Sequence, residues 1–138
     1  MIDFFVVGIP KATPRMKAFS RGKRAGVYDP GSANDWKALV VMQAKKHCPP
    51  QPFEGGIRCD LTFFMPRPKK FDAKKYTEGL IPHTAKPDRD NLEKAVLDAL
   101  TNAGMWRDDA QVYRGEVIKW YHGKGGVDGC NICIREDR

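Results

Sequence analysis

The segment Asp88-Arg89-Asp90-Asn91-Leu92-Glu93-Lys94 places two carboxylates two positions apart, with an ammonium four positions after the second. At the opening of a helix such a pair would face free N–H groups and the positive end of the macrodipole. Lys94 would lie one turn beyond Asp90 on the same face, and Asp98 would continue that stripe. A second acidic pair, Asp108-Asp109, precedes the next apolar run. Clustered carboxylates repel one another unless a cation joins them. Hard oxygens with open positions suit Mg²⁺, with Mn²⁺ as a substitute, and a nearby lysine would offset charge developing on phosphorus. That is the equipment of metal-assisted phosphodiester hydrolysis. A plainer reading uses the same residues: Asp88 and Asp90 cap a helix, and Asp108-Asp109 marks a turn. A D-x-D alone does not choose between the two.

The charge balance points to the partner. Lys and Arg number 24 against 17 Asp and Glu, a formal charge of +7, which favours a polyanion such as nucleic acid. Lys11, Arg15, Lys17, Arg21, Lys23 and Arg24 fall in one stretch rich in Pro and Gly, read as a basic loop over about 10–26. Arg67, Lys69, Lys70, Lys74 and Lys75 fall in a second, a long loop over about 66–87. Neither stretch has helical or strand periodicity. Their other reading is a solubilising surface. A loop of ~20 residues inside a compact domain is uncommon and tends to be functional or disordered.

The elements that must position these residues read as α+β. We expect a single small domain, residues 1–138, with a mixed sheet of about four main strands packed by two helices. Strands are expected at Ile2–Gly8, Ile57–Met65, Gln111 to about Tyr121, and from the turn at 123–126 to Ile134. Val27-Tyr28 would be a further short strand. The turn at Pro30–Asn34 would supply a cap for a helix from Asp35 to Lys46, stopped by Pro49-Pro50. In the second helix, Asp90 would act as cap with Glu93 as its partner. Leu92, Ala95, Val96, Ala99, Leu100 and Ala103 would make the apolar face, and Gly104 would end it. The spacing of Phe4, Phe5, Phe63, Phe64, Trp106 and Trp120 favours core or interface packing over base stacking, with Trp106 of most interest because it sits beside the acidic pair.

Other classes are set aside. The chain is too short for a two-domain enzyme with its own dinucleotide-binding half, and no apolar run approaches the ~20 residues of a membrane span. Its opening residues read as a strand and not as a signal peptide, so a cytoplasmic setting is expected. There the four cysteines would stay reduced. Cys130 and Cys133 form a C-x-x-C, but Cys48 and Cys59 do not supply a second pair, and a strand would turn the two thiols to opposite faces, so no zinc is expected. His47, His83 and His122 show no paired spacing, although His83 is close enough to the acidic motif for a contact to DNA.

The run Asp88 to Lys94, then Asp98-Ala99-Leu100, Gly104 and Asp108-Asp109-Ala110-Gln111-Val112, resembles the signature of the RusA family of Holliday junction resolvases. Lys86-Pro87 before it and Lys119 after it match that pattern, and Gly8-Ile9-Pro10 with the following basic run resembles the family's opening more loosely. The resemblance implies a Mg²⁺-dependent endodeoxyribonuclease acting as a homodimer on four-way DNA junctions by paired symmetric nicks, with no small-molecule cofactor. Carried over by position, Asp88, Asp90 and Asp109 would hold the metal, and Lys94 would be the accompanying lysine. Asp108 would be part of the site or orient the loop. DNA would be held by Lys11, Arg15, Lys17, Arg21, Lys23, Arg24, Lys69, Lys70, Lys86 and Lys119 through phosphate contacts.

Geometry adds an expectation of its own. A helix from Asp90 to Ala103 is ~20 Å long at 1.5 Å per residue, and the steps from Gly104 to Asp109 reach back only ~18 Å if almost fully extended. Asp88 and Asp90 of one subunit meeting Asp109 of another is the easier solution. Two equivalent sites would then suit two symmetric nicks. The alternatives are a nuclease for flaps or other branched DNA, and a non-catalytic DNA-binding protein that keeps the fold.

Overall fold

The structure, a computed structural model, describes residues 1–13 and 33–137, together with the backbone of 17–21 and 24–28. The strands are β1 (Ile2–Val7), β2 (Lys17–Arg21), β3 (Arg24–Tyr28), β4 (Gly56–Met65), β5 (Ile81–Pro82), β6 (Val112–Arg114), β7 (Val117–Tyr121) and β8 (Gly129–Asp137), and the helices are α1 (Asn34–Ala44) and α2 (Arg89–Ala103). The main sheet runs β1-β8-β4-β7-β5, with β6 also paired to β4. It is mixed: β8 is antiparallel to β1 and β4, whereas β7 and β6 are parallel to β4. The α+β expectation holds, with two of the six strands short.

The parallel pair explains where the chemistry lies. Parallel neighbours need a long crossover, and here it contains α2. The long loop therefore leaves β4 and delivers the chain to the head of α2. The far end of α2 then leads to the second acidic pair before β7 begins.

Alternation in β4 buries Ile57, Cys59, Leu61, Phe63 and Met65 against the helices. Leu92, Ala95, Val96, Ala99 and Leu100 of α2 and Trp36, Val40 and Ala44 of α1 close the same core. Phe4, Phe63 and Trp106 are buried there, while Phe5, Phe64 and Trp120 lie at the surface or half-buried. On β8, Cys130 is buried and Cys133 half-buried, and burial pushes both thiols up in pKa.

Several expectations need correction. The basic stretch 10–26 is not all loop: β2 and β3 pair antiparallel from Lys17↔Tyr28 to Arg21↔Arg24, so its main-chain groups find partners locally. Arg15, Lys23 and residues 30–32 of the expected turn lie outside the described residues. The first helix begins at Asn34 behind Ala33, which has no side-chain acceptor to cap it. The second helix begins at Arg89, with Asp88 and not Asp90 at the capping position and no side-chain cap bond from it. The strand expected over 111–121 breaks at Gly115, whose φ of +153° and approach to β4 leave no room for a side chain: a Cβ would fall 1.8 Å from the Cys59 carbonyl oxygen. The closing strand runs on to Asp137.

The long loop has structure of its own, a 3-10 turn at Lys69–Asp72 and β5. Arg67 organises it. Its side chain is only 4% exposed, and its guanidinium donates to the carbonyls of Phe71, Thr77, Gly79 and His122. Among the described residues, no helix is long and apolar enough to cross a membrane.

Candidate active site

The two acidic pairs are held by different means. Asp88 sits in extended backbone at the head of α2, with the Lys86 ammonium 2.7 Å from its Oδ1. Asp90 is in the first turn, where its Oδ1 accepts the Asn91 N–H at 2.9 Å. An open cavity of about 450 Å³ lies beside it, lined by Arg89, Asp90, Glu93 and residues Gly115 to Ile118. The carbonyl of Asn91 accepts from the Thr13 N–H at 3.2 Å, so the segment that leads into the β2-β3 ribbon is tied to the same turn of α2.

At the other end, Gly104 closes α2 in the left-handed conformation (φ +91°) and the chain doubles back. Trp106 anchors the return in the core, its indole N–H donating to Thr101 Oγ1 at 2.7 Å. Asp108 and Gln111 then form a reciprocal cap: Asp108 Oδ1 accepts from the Ala110 N–H, and Gln111 Oε1 accepts from the N–H groups of Arg107 and Asp108. The Gln111 amide donates in turn to the carbonyls of Phe53 and Gly55. Sequence reasoning passed over Gln111. Its position three residues after Asp108 was the available signal.

Asp109 is thereby turned toward α2. Partial burial, a hydrogen bond with Asp108 and the charges of Asp108 and Asp98 push its pKa up, and Lys94 pulls it the other way. Lys94 lies 3.7 Å from Asp98, which also faces Lys37 at 3.6 Å. The return loop thus brings Asp109 into the field of Lys94 and Asp98 but leaves it well down the helix from Asp90, which precedes Asp98 by about two turns. Among the described residues, no three His, Cys, Asp or Glu side chains of one chain converge to hold a metal.

The basic residues divide. Lys11, Lys69, Lys70 and Lys86 are exposed, and Lys17, Arg21 and Arg24 stand on the β2-β3 ribbon. Lys119 is different. On β7, half-buried, it turns its Nζ to the carbonyls of Ala85 and Pro87 at 2.9 and 2.8 Å. His83 is buried against the Tyr121 ring, and burial and Lys119 lower its pKa.

The family model for endodeoxyribonuclease RusA matches residues 8–128, which takes in every described element named above except β1 and β8. The chain belongs to the RusA family. It is 33% identical over 140 residues to the uncharacterized protein YqaN of Bacillus subtilis (strain 168), covering 98% of this chain and 96% of that one. It is 52% identical over 71 residues to the crossover junction endodeoxyribonuclease of Enterobacteria phage 82, covering 51% of this chain and 54% of that protein. The corresponding match in Escherichia coli (strain K12) is 52% over 46 residues, 33% of this chain and 38% of that one. The stretches shared with the two named nucleases thus span about half their length or less. The RusA family is one of endodeoxyribonucleases.

Proposed function

We propose that the protein is a divalent-cation-dependent endodeoxyribonuclease that resolves four-way DNA junctions as a homodimer. Asp88 and Asp90 of one subunit and Asp109 of the partner subunit form each site. The observation that carries this reading is the separation of the two acidic pairs along α2, in a chain of this family whose own carboxylates leave each half incomplete. The exposed apolar side chains of Phe5, Val7 and Ile118 on the sheet support a covered interface in the dimer.

The donor set fits Mg²⁺: it consists of carboxylate oxygens, and Asp109 is crowded by anionic neighbours that a cation would relieve. Such an ion supplies Lewis-acid polarisation of the scissile phosphate and a more acidic water. The chain's own residues do the rest. Lys94, on the exposed side of α2 and steered by Asp98, offers its ammonium to charge developing on the phosphoryl oxygens. Lys86, Lys69, Lys70, Lys11 and the basic positions of the β2-β3 ribbon hold the arms by phosphate contacts, and the Thr13–Asn91 bond ties the chain ahead of that ribbon to the first turn of α2.

The test follows cleavage of an end-labelled mobile four-way junction beside a linear duplex of the same sequence, in Mg²⁺ and in EDTA. Paired symmetric nicks confined to the junction, and lost with EDTA or Asp90→Asn, are expected. Flap or splayed-arm cleavage without junction resolution would change the substrate, and tight binding without cleavage would remove the enzyme. Mixed dimers then test the sharing. Asp90→Asn and Asp109→Asn subunits are each inactive alone, but a dimer of one of each keeps one intact site and nicks a single strand. If each site were built within one subunit, the mixed dimer would be as inactive as its parents.

A further inference from the structure

The segment that delivers Asp88 to α2 is draped over one residue. The backbone carbonyl of Lys119 accepts the His83 N–H at 3.1 Å. The Lys119 ammonium donates to the Ala85 carbonyl at 2.9 Å and the Pro87 carbonyl at 2.8 Å. Three bonds to Lys119 thus span residues 83–87, and Asp88 is next in the chain. The anchor itself is firm, because Lys119 lies in a strand whose register pairs it with the fully buried Phe63 of β4. Two carbonyl oxygens drawn to one ammonium would repel each other without it, and charged donors make the stronger hydrogen bonds. Of the three ammonium hydrogens two are committed, and Asp88 is the anionic group that acts on the same ammonium. This differs from Lys86, which is exposed and meets Asp88 directly.

We propose that Lys119 is the positioning residue of the Asp88 carboxylate, fixing the 83–87 segment so that Asp88 stands at the head of α2 with Asp90. This rests on the reading of Asp88 as a metal-holding residue. Its role is orientation, and DNA phosphate is not its partner. Outer-shell groups that orient metal ligands typically account for about 10–100-fold in metal affinity or activity.

The experiment uses the full-length protein as wild type, Lys119→Met, Lys119→Gln and Lys119→Arg, each checked for folding by thermal melt. Mn²⁺ binding is followed by the EPR signal of the free ion, junction binding by anisotropy in EDTA, and cleavage by single-turnover kinetics in Mg²⁺. Lys119→Met is expected to lose about 10–100-fold in both Mn²⁺ affinity and cleavage rate while its junction Kd moves less than about 3-fold. Lys119→Gln, which can still donate to a carbonyl, is expected to fall between it and wild type, as is Lys119→Arg. If Lys119→Met fails to fold, the two conservative variants carry the same comparison. A loss of junction affinity matching the loss of rate, with Mn²⁺ binding unchanged, would make Lys119 a phosphate contact and overturn the proposal. Unchanged Mn²⁺ binding and cleavage in folded variants would overturn it too. A wild type that binds Mn²⁺ but cleaves no junction would sink the junction-resolving reading alone, since the Mn²⁺ comparison would stand.

Discussion

The two acidic pairs differ in what surrounds them. Asp88 lies among cations: Lys86 touches it, and Lys119 and Arg89 stand close by. Asp109 is pushed above the usual carboxylate range by partial burial and by Asp108 and Asp98, with Lys94 pulling the other way. The backbone frames differ as well. Asp88 depends on a loop pinned to a strand, whereas Asp108-Asp109 depends on a local turn locked by its own Asp108–Gln111 cap. Asp88 already has a cationic partner, whereas Asp109 is held above the usual carboxylate range by burial and by its acidic neighbours. In the proposed dimer, a cation shared between Asp88 and Asp109 would relieve the crowding of Asp109.

Substituting either half is expected to have the largest effect: Asp88→Asn and Asp109→Asn should each lower junction cleavage by at least about 10²–10³-fold, the scale of losing one charge-stabilising group. Junction affinity should hold or improve, since each change removes a negative charge from a surface that meets phosphate. Near-normal cleavage by Asp109→Asn would detach the second pair from the site altogether.

Next comes the frame of the second pair. Gln111→Ala removes the acceptor of two N–H groups and the donor to two carbonyls, and should cost roughly 1–3 kcal/mol in denaturant unfolding with a slower cleavage step. A variant as stable as wild type would show that this turn is not held as described.

Asp108 separates the roles within its pair. Asp108→Ala loses the acceptor for the Ala110 N–H and should cost about 0.5–2 kcal/mol, whereas Asp108→Asn keeps an oxygen there and should stay close to wild type in stability. If Asp108→Asn also cleaves within a few-fold of wild type, Asp108 is the cap and Asp109 the ligand. A loss as deep as that of Asp109→Asn would make both carboxylates part of the chemistry.

The smallest effect is in pH dependence. A carboxyl whose pKa is raised by folding binds its proton more tightly in the native state, so ionising it costs stability as pH rises from the ordinary Asp range through the native value. Asp109→Asn should therefore melt slightly higher than wild type at neutral pH and indistinguishably near pH 3. Added Mg²⁺ should stabilise the wild type more than the variant. A variant that melts lower at neutral pH would mean the carboxylate is compensated in the free protein after all.

Much of this was readable from local pattern. The alternation of Ile57, Cys59, Leu61, Phe63 and Met65 and the 3.6-residue spacing from Leu92 to Leu100 announce which faces are buried, because burial acts residue by residue along one element. The acidic spacings, the charge excess and Gly104 as a helix terminator belong to the same class of signal. Partners distant in sequence left no such trace. By type and position Arg67 belongs with the lysines of the second basic stretch, yet it is nearly buried under four carbonyls. Lys119 is a candidate DNA contact by its type, and the fold turns its ammonium to the carbonyls of residues 85 and 87, more than thirty positions earlier. The break at Gly115 likewise exists because β4 passes within a side chain's width of it. A basic residue's type says only that it can donate. Whether it donates to solvent, phosphate or a carbonyl of its own chain is decided when the fold brings acceptors to it and removes the water.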